Sequence, residues 1–207
     1  MEDEQTLLDR WCAGDKAAGN ALLKLHFASL YRFFENKVES DLEELVQQTF
    51  LACVQQRDHF RRDSSFRTFL FTIARNRLYS YWRQRSRRGV ALDFDACSVA
   101  SLSTSVGTRL GRQHDRVRLR AALRTLSVDQ QLLLELHYWE DFEGAELATL
   151  FEVEPATIRS RMFRARELLR ERLDEHAPMP AAAPGDDLDA GAARLRPDAP
   201  SSESGRG

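Results

Sequence analysis

Between Phe66 and Arg88 the chain interleaves aromatic rings with guanidinium groups. Phe66, Phe69, Phe71, Tyr79, Tyr81 and Trp82 stand among Arg75, Arg77, Arg83, Arg85, Arg87 and Arg88, and Arg75 to Arg88 contains six arginines and no acid. Flat π faces stack unpaired bases, and guanidinium groups hold backbone phosphates and lie over aromatic rings. Leu70, Ile73, Ala74, Arg77 and Leu78 fall at i, i+3, i+4, i+7 and i+8, so one mainly apolar stripe predicts a helix through this segment. One stripe on one or two helices leaves the other rings unexplained. From the residues alone, a basic helix whose aromatics merely pack is the even alternative to a nucleic-acid surface.

A second concentration lies between Glu143 and Leu173. Glu143 to Phe151 and Pro155 to about Leu173 are two helical patterns joined by a short turn. Pro155 suits the first turn of the second helix, where its missing N–H costs nothing. Ile158, Met162, Ala165 and Leu169 form a stripe to be buried, while Arg159, Ser160, Phe163 and Arg164 project from a different face near the helix start. This is a helix-turn-helix arrangement, with the beginning of the second helix offered to the major groove. A helical hairpin with a charged outer face is the plain alternative. Upstream, Ser127 is the expected cap of a further helix, with Gln130 at the capping-box position.

The third candidate surface is Ser40-Asp-Leu-Glu-Glu-Leu-Val-Gln-Gln-Thr-Phe. Ser40 or Asp41 can cap a helix, and Glu43 and Glu44 occupy its first turn, where the macrodipole favours anions. Leu42, Leu45, Val46, Thr49 and Phe50 make one face and leave Glu44, Gln47 and Gln48 on or near the other. By pattern alone this is an amphipathic core helix with a solvated acidic side.

These segments define an all-α architecture of two helical modules on a flexible tether. Residues 1–88 hold no proline, and glycine only at Gly14 and Gly19. Residues 89–111 lose helical periodicity and read as a flexible linker; 112–176 regain it. Residues 177–207 are rich in Ala, Pro, Gly, Ser and Asp and read as a disordered tail. No segment shows sustained β alternation.

The 207 residues suit one medium domain or two small ones. A formal net charge of −2 would by itself argue against nucleic acid, but the arginines are clustered, and exposed charges are screened beyond about 8 Å at physiological salt. Cys12, Cys53 and Cys97 are odd in number and scattered, which argues against a disulfide framework and a zinc site. An acidic amino terminus without a signal-like apolar core, and no apolar run of spanning length, predict a cytoplasmic protein without membrane insertion. No P-loop, G-x-S-x-G, G-x-G-x-x-G or metal-ligand spacing occurs, so neither catalysis nor a cofactor nor a metal is expected.

Asp41-Leu-Glu-Glu-Leu-Val-Gln-Gln-Thr-Phe, followed by Phe66-Arg-Thr-Phe-Leu-Phe-Thr-Ile-Ala-Arg-Asn, resembles conserved region 2 of sigma-70 family factors of the small extracytoplasmic-function type. Leu126-Ser-Val-Asp-Gln-Gln-Leu, Ala145-Glu-Leu-Ala and Ala156-Thr-Ile-Arg-Ser-Arg-Met-Phe-Arg-Ala-Arg-Glu-Leu-Leu resemble region 4 of the same family. The resemblance implies a factor that lends promoter recognition and melting to RNA polymerase core. It implies core binding by Asp41, Glu44, Gln47, Gln48 and Phe50. It implies reading of the −10 element by Arg75, Asn76, Tyr79, Tyr81, Trp82 and Arg83, with capture of a flipped base. It implies reading of the −35 element by Arg159, Ser160, Phe163 and Arg164, with Arg161 and Arg166 as phosphate or structural contacts. Promoter DNA, RNA polymerase core and an anti-sigma factor are the implied partners. Two departures stand out: Glu152 replaces the usual turn glycine, where a positive φ is uncommon for other residues, and Glu143-Gly144 replaces a frequent Ser-Tyr. A stand-alone helix-turn-helix regulator is the rival reading, and it leaves the aromatic-arginine segment unused.

Overall fold

The computed structural model describes residues 2–38, 40–60, 62–85, 93–102 and 114–175, and among these the regular elements are helices. The expected tail, 177–207, and most of the expected linker lie outside the described residues. Within the linker, 93–102 is described and carries one short helix.

The amino-terminal module contains α1 (Glu4–Cys12), α2 (Lys16–Leu25), α3 (Phe27–Glu35), α4 (Leu42–Gln55) and α5 (Phe66–Arg85). Asp3 and Asp15 cap α1 and α2: their carboxylates accept from the N–H of Thr6 and from those of Ala17 and Ala18, satisfying amides the helices cannot use themselves. Gly14 makes the turn between these helices at φ +99°. Gly19 lets α2 lie flat on the Trp11 ring, since an added Cβ would meet Trp11 Cδ1 at 2.2 Å. Leu7, Leu8, Trp11, Leu22, Cys53, Phe66, Leu70 and Ile73 close this end of the core.

The remaining helices are α6 (Val99–Leu102), α7 (His114–Thr125), α8 (Val128–Trp139), α9 (Gly144–Phe151) and α10 (Pro155–Glu175). The expected cap of α8 is present: Ser127 Oγ accepts from the Gln130 N–H and Gln130 Oε1 from the Ser127 N–H, each at 3.2 Å. Ile158, Met162, Ala165 and Leu169 are the buried stripe of α10. The Glu143-Gly144 departure is compensated locally, because Glu146 Oε2 reaches back to the Glu143 N–H at 3.0 Å. Glu152 does adopt the left-handed conformation, φ 57° and ψ 43°, at the end of α9.

The modules share one core: a continuous cluster of buried residues runs from Leu30, Phe34 and Phe71 to Leu132, Phe142 and Ile158.

The Gly19–Trp11 contact gives a direct test. Gly19→Ala should lower the free energy of unfolding by about 1–3 kcal/mol through overpacking, read from urea denaturation; an unchanged midpoint would mean that α1 is free to move away from α2.

Candidate functional site

The seam between the modules is built from charge. Lys37, at the end of α3, is almost wholly buried and donates from Nζ to Glu135 of α8 and, at 2.6 Å, to the Phe33 carbonyl. Glu135 is also held by Gln131 Nε2 at 2.7 Å. Arg32 meets Glu140 at 3.0 Å, both buried. Arg67 of α5 donates to the Glu140 carbonyl at 2.6 Å and to the Asp141 carbonyl at 3.2 Å, pairs with Glu146 at 3.3 Å and lies 4.2 Å from the centroid of Phe142. An ion is costly to dehydrate unless a counter-ion and further hydrogen bonds accompany it. Each of these cations has both.

The aromatic-arginine helix lies inside this seam. Arg75 is buried, donates to the Leu150 carbonyl and pairs with Glu152 at 3.0 Å. The Glu152 that replaces the turn glycine thus returns an ion pair to α5. Tyr81 and Trp82 are buried and edge-to-face, 5.1 Å between centroids. Tyr79 is half-buried; its hydroxyl donates to Asp129, and its ring stacks on Phe94 at 4.2 Å and 6°. Asn76 and Arg83 are exposed. Burial pushes the Asp129 carboxyl above its ordinary range; the Tyr79 hydroxyl opposes the shift, Asp95 adds to it and Arg161 opposes it.

The rings that one stripe leaves unexplained are thus largely packed, against more than one core. Phe66, Phe71, Tyr81 and Trp82 are all buried because α5 has a core on two sides. Phe66 faces Trp11, while Phe71 meets Phe33 on its own module and Phe142 on the other.

The other two expected surfaces face water. On α4, Glu44 and Gln47 are exposed, and Gln48 and Phe50 partly so. Gln48 donates to Glu44 at 2.8 Å. Asp41 precedes the helix at φ 64°, and its carboxylate accepts no capping hydrogen bond from the first turn; it pairs with Arg85 at 3.1 Å and accepts from Ser40 Oγ. Leu51 and Val54 are exposed beside these polar residues, and Phe27 stacks on Phe50. On α10, Arg159, Ser160, Phe163 and Arg164 are all exposed, Phe163 at 67%. Arg161 is partly buried against Asp95 at 3.1 Å and Asp129 at 3.8 Å, and Arg166 donates to the Tyr138 hydroxyl at 2.7 Å.

Sequence reasoning missed Arg32, Lys37, Glu135 and Glu140. The signal for one of them is visible: Glu135 interrupts the run Leu132-Leu-Leu-Glu-Leu, where a solvated acid is out of pattern. Among the described residues there is no group of three or more His, Cys, Asp or Glu able to hold a metal ion, and no helix is long and apolar enough to cross a membrane.

Comparison with known proteins agrees with this division. Residues 20–88 match the family model for sigma-70 region 2, and residues 116–169 that for sigma-70 region 4. The ECF RNA polymerase sigma-E factors of Salmonella typhimurium (strain LT2) and Escherichia coli (strain K12) are each 27% identical over 179 residues, covering 82% of this chain and 94% of theirs. Among solved structures, the sigma factor RpoE in complex with the anti-sigma factor NepR from Bartonella quintana superposes with a TM-score of 0.57 at 28% identity, covering 76% of this chain and 98% of that one. CnrH in complex with the cytosolic domain of CnrY shares the fold, with a TM-score of 0.60 at 24% identity and coverage of 84% and 99%.

Lys37→Met would leave Glu135 buried without its cation. The expected loss is about 3 kcal/mol in denaturant unfolding. A loss below about 1 kcal/mol, the range of exposed pairs, would place this pair in water and the modules apart in solution.

Proposed function

This chain belongs to the sigma-70 family, as a small RNA polymerase sigma factor of the extracytoplasmic-function type, and we propose that the three surfaces divide the work of initiation among them. The exposed side of α4, with Asp41, Glu44, Gln47, Gln48 and Phe50, docks on polymerase core. Leu51 and Val54 extend it with the apolar area that a polar helix face lacks. Arg159, Ser160, Phe163 and Arg164 read the −35 element as duplex, in the major groove. Asn76, Tyr79 and Arg83, with Arg75, Tyr81 and Trp82 behind them, serve the −10 element as an opened strand. This factor works in the cytoplasm, supplies no catalytic group and needs no metal.

The observation that carries this reading is the contrast between the two DNA faces. The −35 face is open to solvent, while much of the −10 face is covered by the other module. Elements named for positions 25 base pairs apart lie about 85 Å apart along B-form DNA. In this structure α5 and α10 lie close enough for one carboxylate, that of Asp129, to meet both Tyr79 and Arg161. The packed form cannot span both elements, so promoter engagement requires the modules to separate along the Lys37–Glu135 seam. An anti-sigma protein, of the kind with which the Bartonella quintana factor was solved, would act by holding the chain away from that extended form.

In vitro transcription with bacterial core polymerase over a pool of promoter fragments tests the reading. Start sites that appear only with this protein are expected, and their alignment yields its −10 and −35 sequences. Specific duplex binding by the protein alone, without new start sites, would favour a stand-alone regulator. In the same assay Arg159→Ala should relax discrimination at one −35 position by about 1–3 kcal/mol; an unaltered sequence preference would remove that assignment. Glu44→Ala with Gln47→Ala should weaken core association at least tenfold while leaving helicity unchanged, measured by titration against labelled core. Equal affinity would move the docking face elsewhere.

A further inference from the structure

The segment between the modules is placed against both DNA faces at once. Asp93 to Cys97 forms a tight turn in which the Cys97 N–H donates to the Asp93 carbonyl at 2.8 Å and the Asp95 N–H to Asp93 Oδ1 at 3.0 Å. The turn is fixed to the carboxy-terminal module, because the first amides of α8 donate to it: Val128 to the Cys97 carbonyl at 2.8 Å and Asp129 to the Phe94 carbonyl at 3.1 Å. These are amides a helix leaves unpaired. So anchored, the turn sends the Phe94 ring across to α5. There it lies parallel to Tyr79 at 4.2 Å, with the Arg83 guanidinium 5.5 Å from its centroid, and is buried. The adjoining Asp95 carboxylate meets Arg161 on the recognition helix.

A planar ring stacked on Tyr79 beside an arginine has the geometry of a captured base, and a carboxylate on Arg161 sits where a phosphate oxygen would. We propose that the turn Asp93–Cys97 is an intramolecular stand-in for promoter DNA, with Phe94 occupying the base-stacking face of Tyr79 and Asp95 occupying the phosphate-binding arginine Arg161. The inference rests on the reading of α5 as the −10 surface. It assigns the linker a competitive role: the free chain holds its own occupant in the strand site, and promoter DNA must displace it. Because the turn is bonded to α8, displacing Phe94 removes one of the contacts that hold α5 to the carboxy-terminal module, beside those of Arg67, Phe71 and Arg75.

The test uses the full chain without polymerase, and a fluorescein-labelled single strand spanning the −10 region of a promoter recovered by the transcription assay. Phe94→Ala should bind this strand about tenfold more tightly than the parent in fluorescence anisotropy, the equivalent of one stacked aromatic. Phe94→Leu, which keeps apolar volume and removes the flat face, should move in the same direction and guards against a folding defect in the alanine variant. Asp95→Asn should raise affinity by a smaller factor. Adding Tyr79→Ala to Phe94→Ala should abolish the gain. Hydrogen exchange of the α5 amides around Leu78–Tyr81 distinguishes the ways to fail. Faster exchange without tighter strand binding would show that Phe94 covers α5 but that α5 is not the strand surface, sinking this inference together with the −10 assignment. Unchanged exchange and unchanged affinity in both Phe94 variants would show that the turn is not a competitor, and would leave the −10 assignment standing.

Discussion

Lys37 and Glu135 can leave water only together. The lysine lies in the turn that follows α3 of one module, the glutamate in an apolar run of the other, and each is buried where the two meet. Desolvating either ion alone costs several kcal/mol, and the attraction between them does little more than offset the joint penalty. The pair therefore adds less to stability than to position, setting α3 against α8 in one register. Arg32–Glu140 and Arg67–Glu146 repeat the arrangement along the same line. These charged pairs are set into the apolar core that the modules share, where Phe71 meets Phe142, and they give the seam a polar content that a domain interior lacks.

That seam explains why α5 carries more rings than one core can use. Its inner face, with Phe66, Leu70 and Ile73, belongs to the amino-terminal module wherever the other module is. Its outer face, with Arg75, Tyr79 and Trp82, is packed here against protein. In the reading developed above the same face meets nucleic acid once the modules part. Both occupants exploit the same chemistry: a flat face accepts a phenyl ring or a base, and a guanidinium accepts a carboxylate or a phosphate. Asn76 and Arg83 are already exposed, so the face is incompletely covered.

Much of this was legible in the chain. The buried stripe of α10 and the Ser127–Gln130 cap follow from local rules of period and capping, whereas the left-handed Glu152 runs against backbone sterics. The exposed positions of Arg159, Ser160, Phe163 and Arg164 follow from the same period. What the chain did not declare was the seam. Helical periodicity tells which face of α5 is buried in its own module, and carries no information about a second module arriving over a variable tether. The partners of Arg32 and Lys37 lie about a hundred positions away, and no local pattern couples them. Phe94 was hidden for a related reason, since a turn rich in Asp, Ala and Ser reads as tether whether or not its one ring is buried.

The exposed face of α4 has a thermodynamic consequence. Glu44, Gln47, Leu51 and Val54 are in water while the modules are closed, and nothing in the seam covers them. A polymerase that gripped only this helix would meet the same surface in the closed and extended chains. A ligand with equal affinity for two states shifts neither, however tightly it binds. Tight docking through α4 is thus neutral toward opening. The work of extension must come from surfaces that exist in one state only: the outer face of α5, or the sides of α8 and α9 that the seam now hides. With α4 as the proposed docking face, affinity for the enzyme and readiness to open would be separate quantities, set by different residues and free to vary independently.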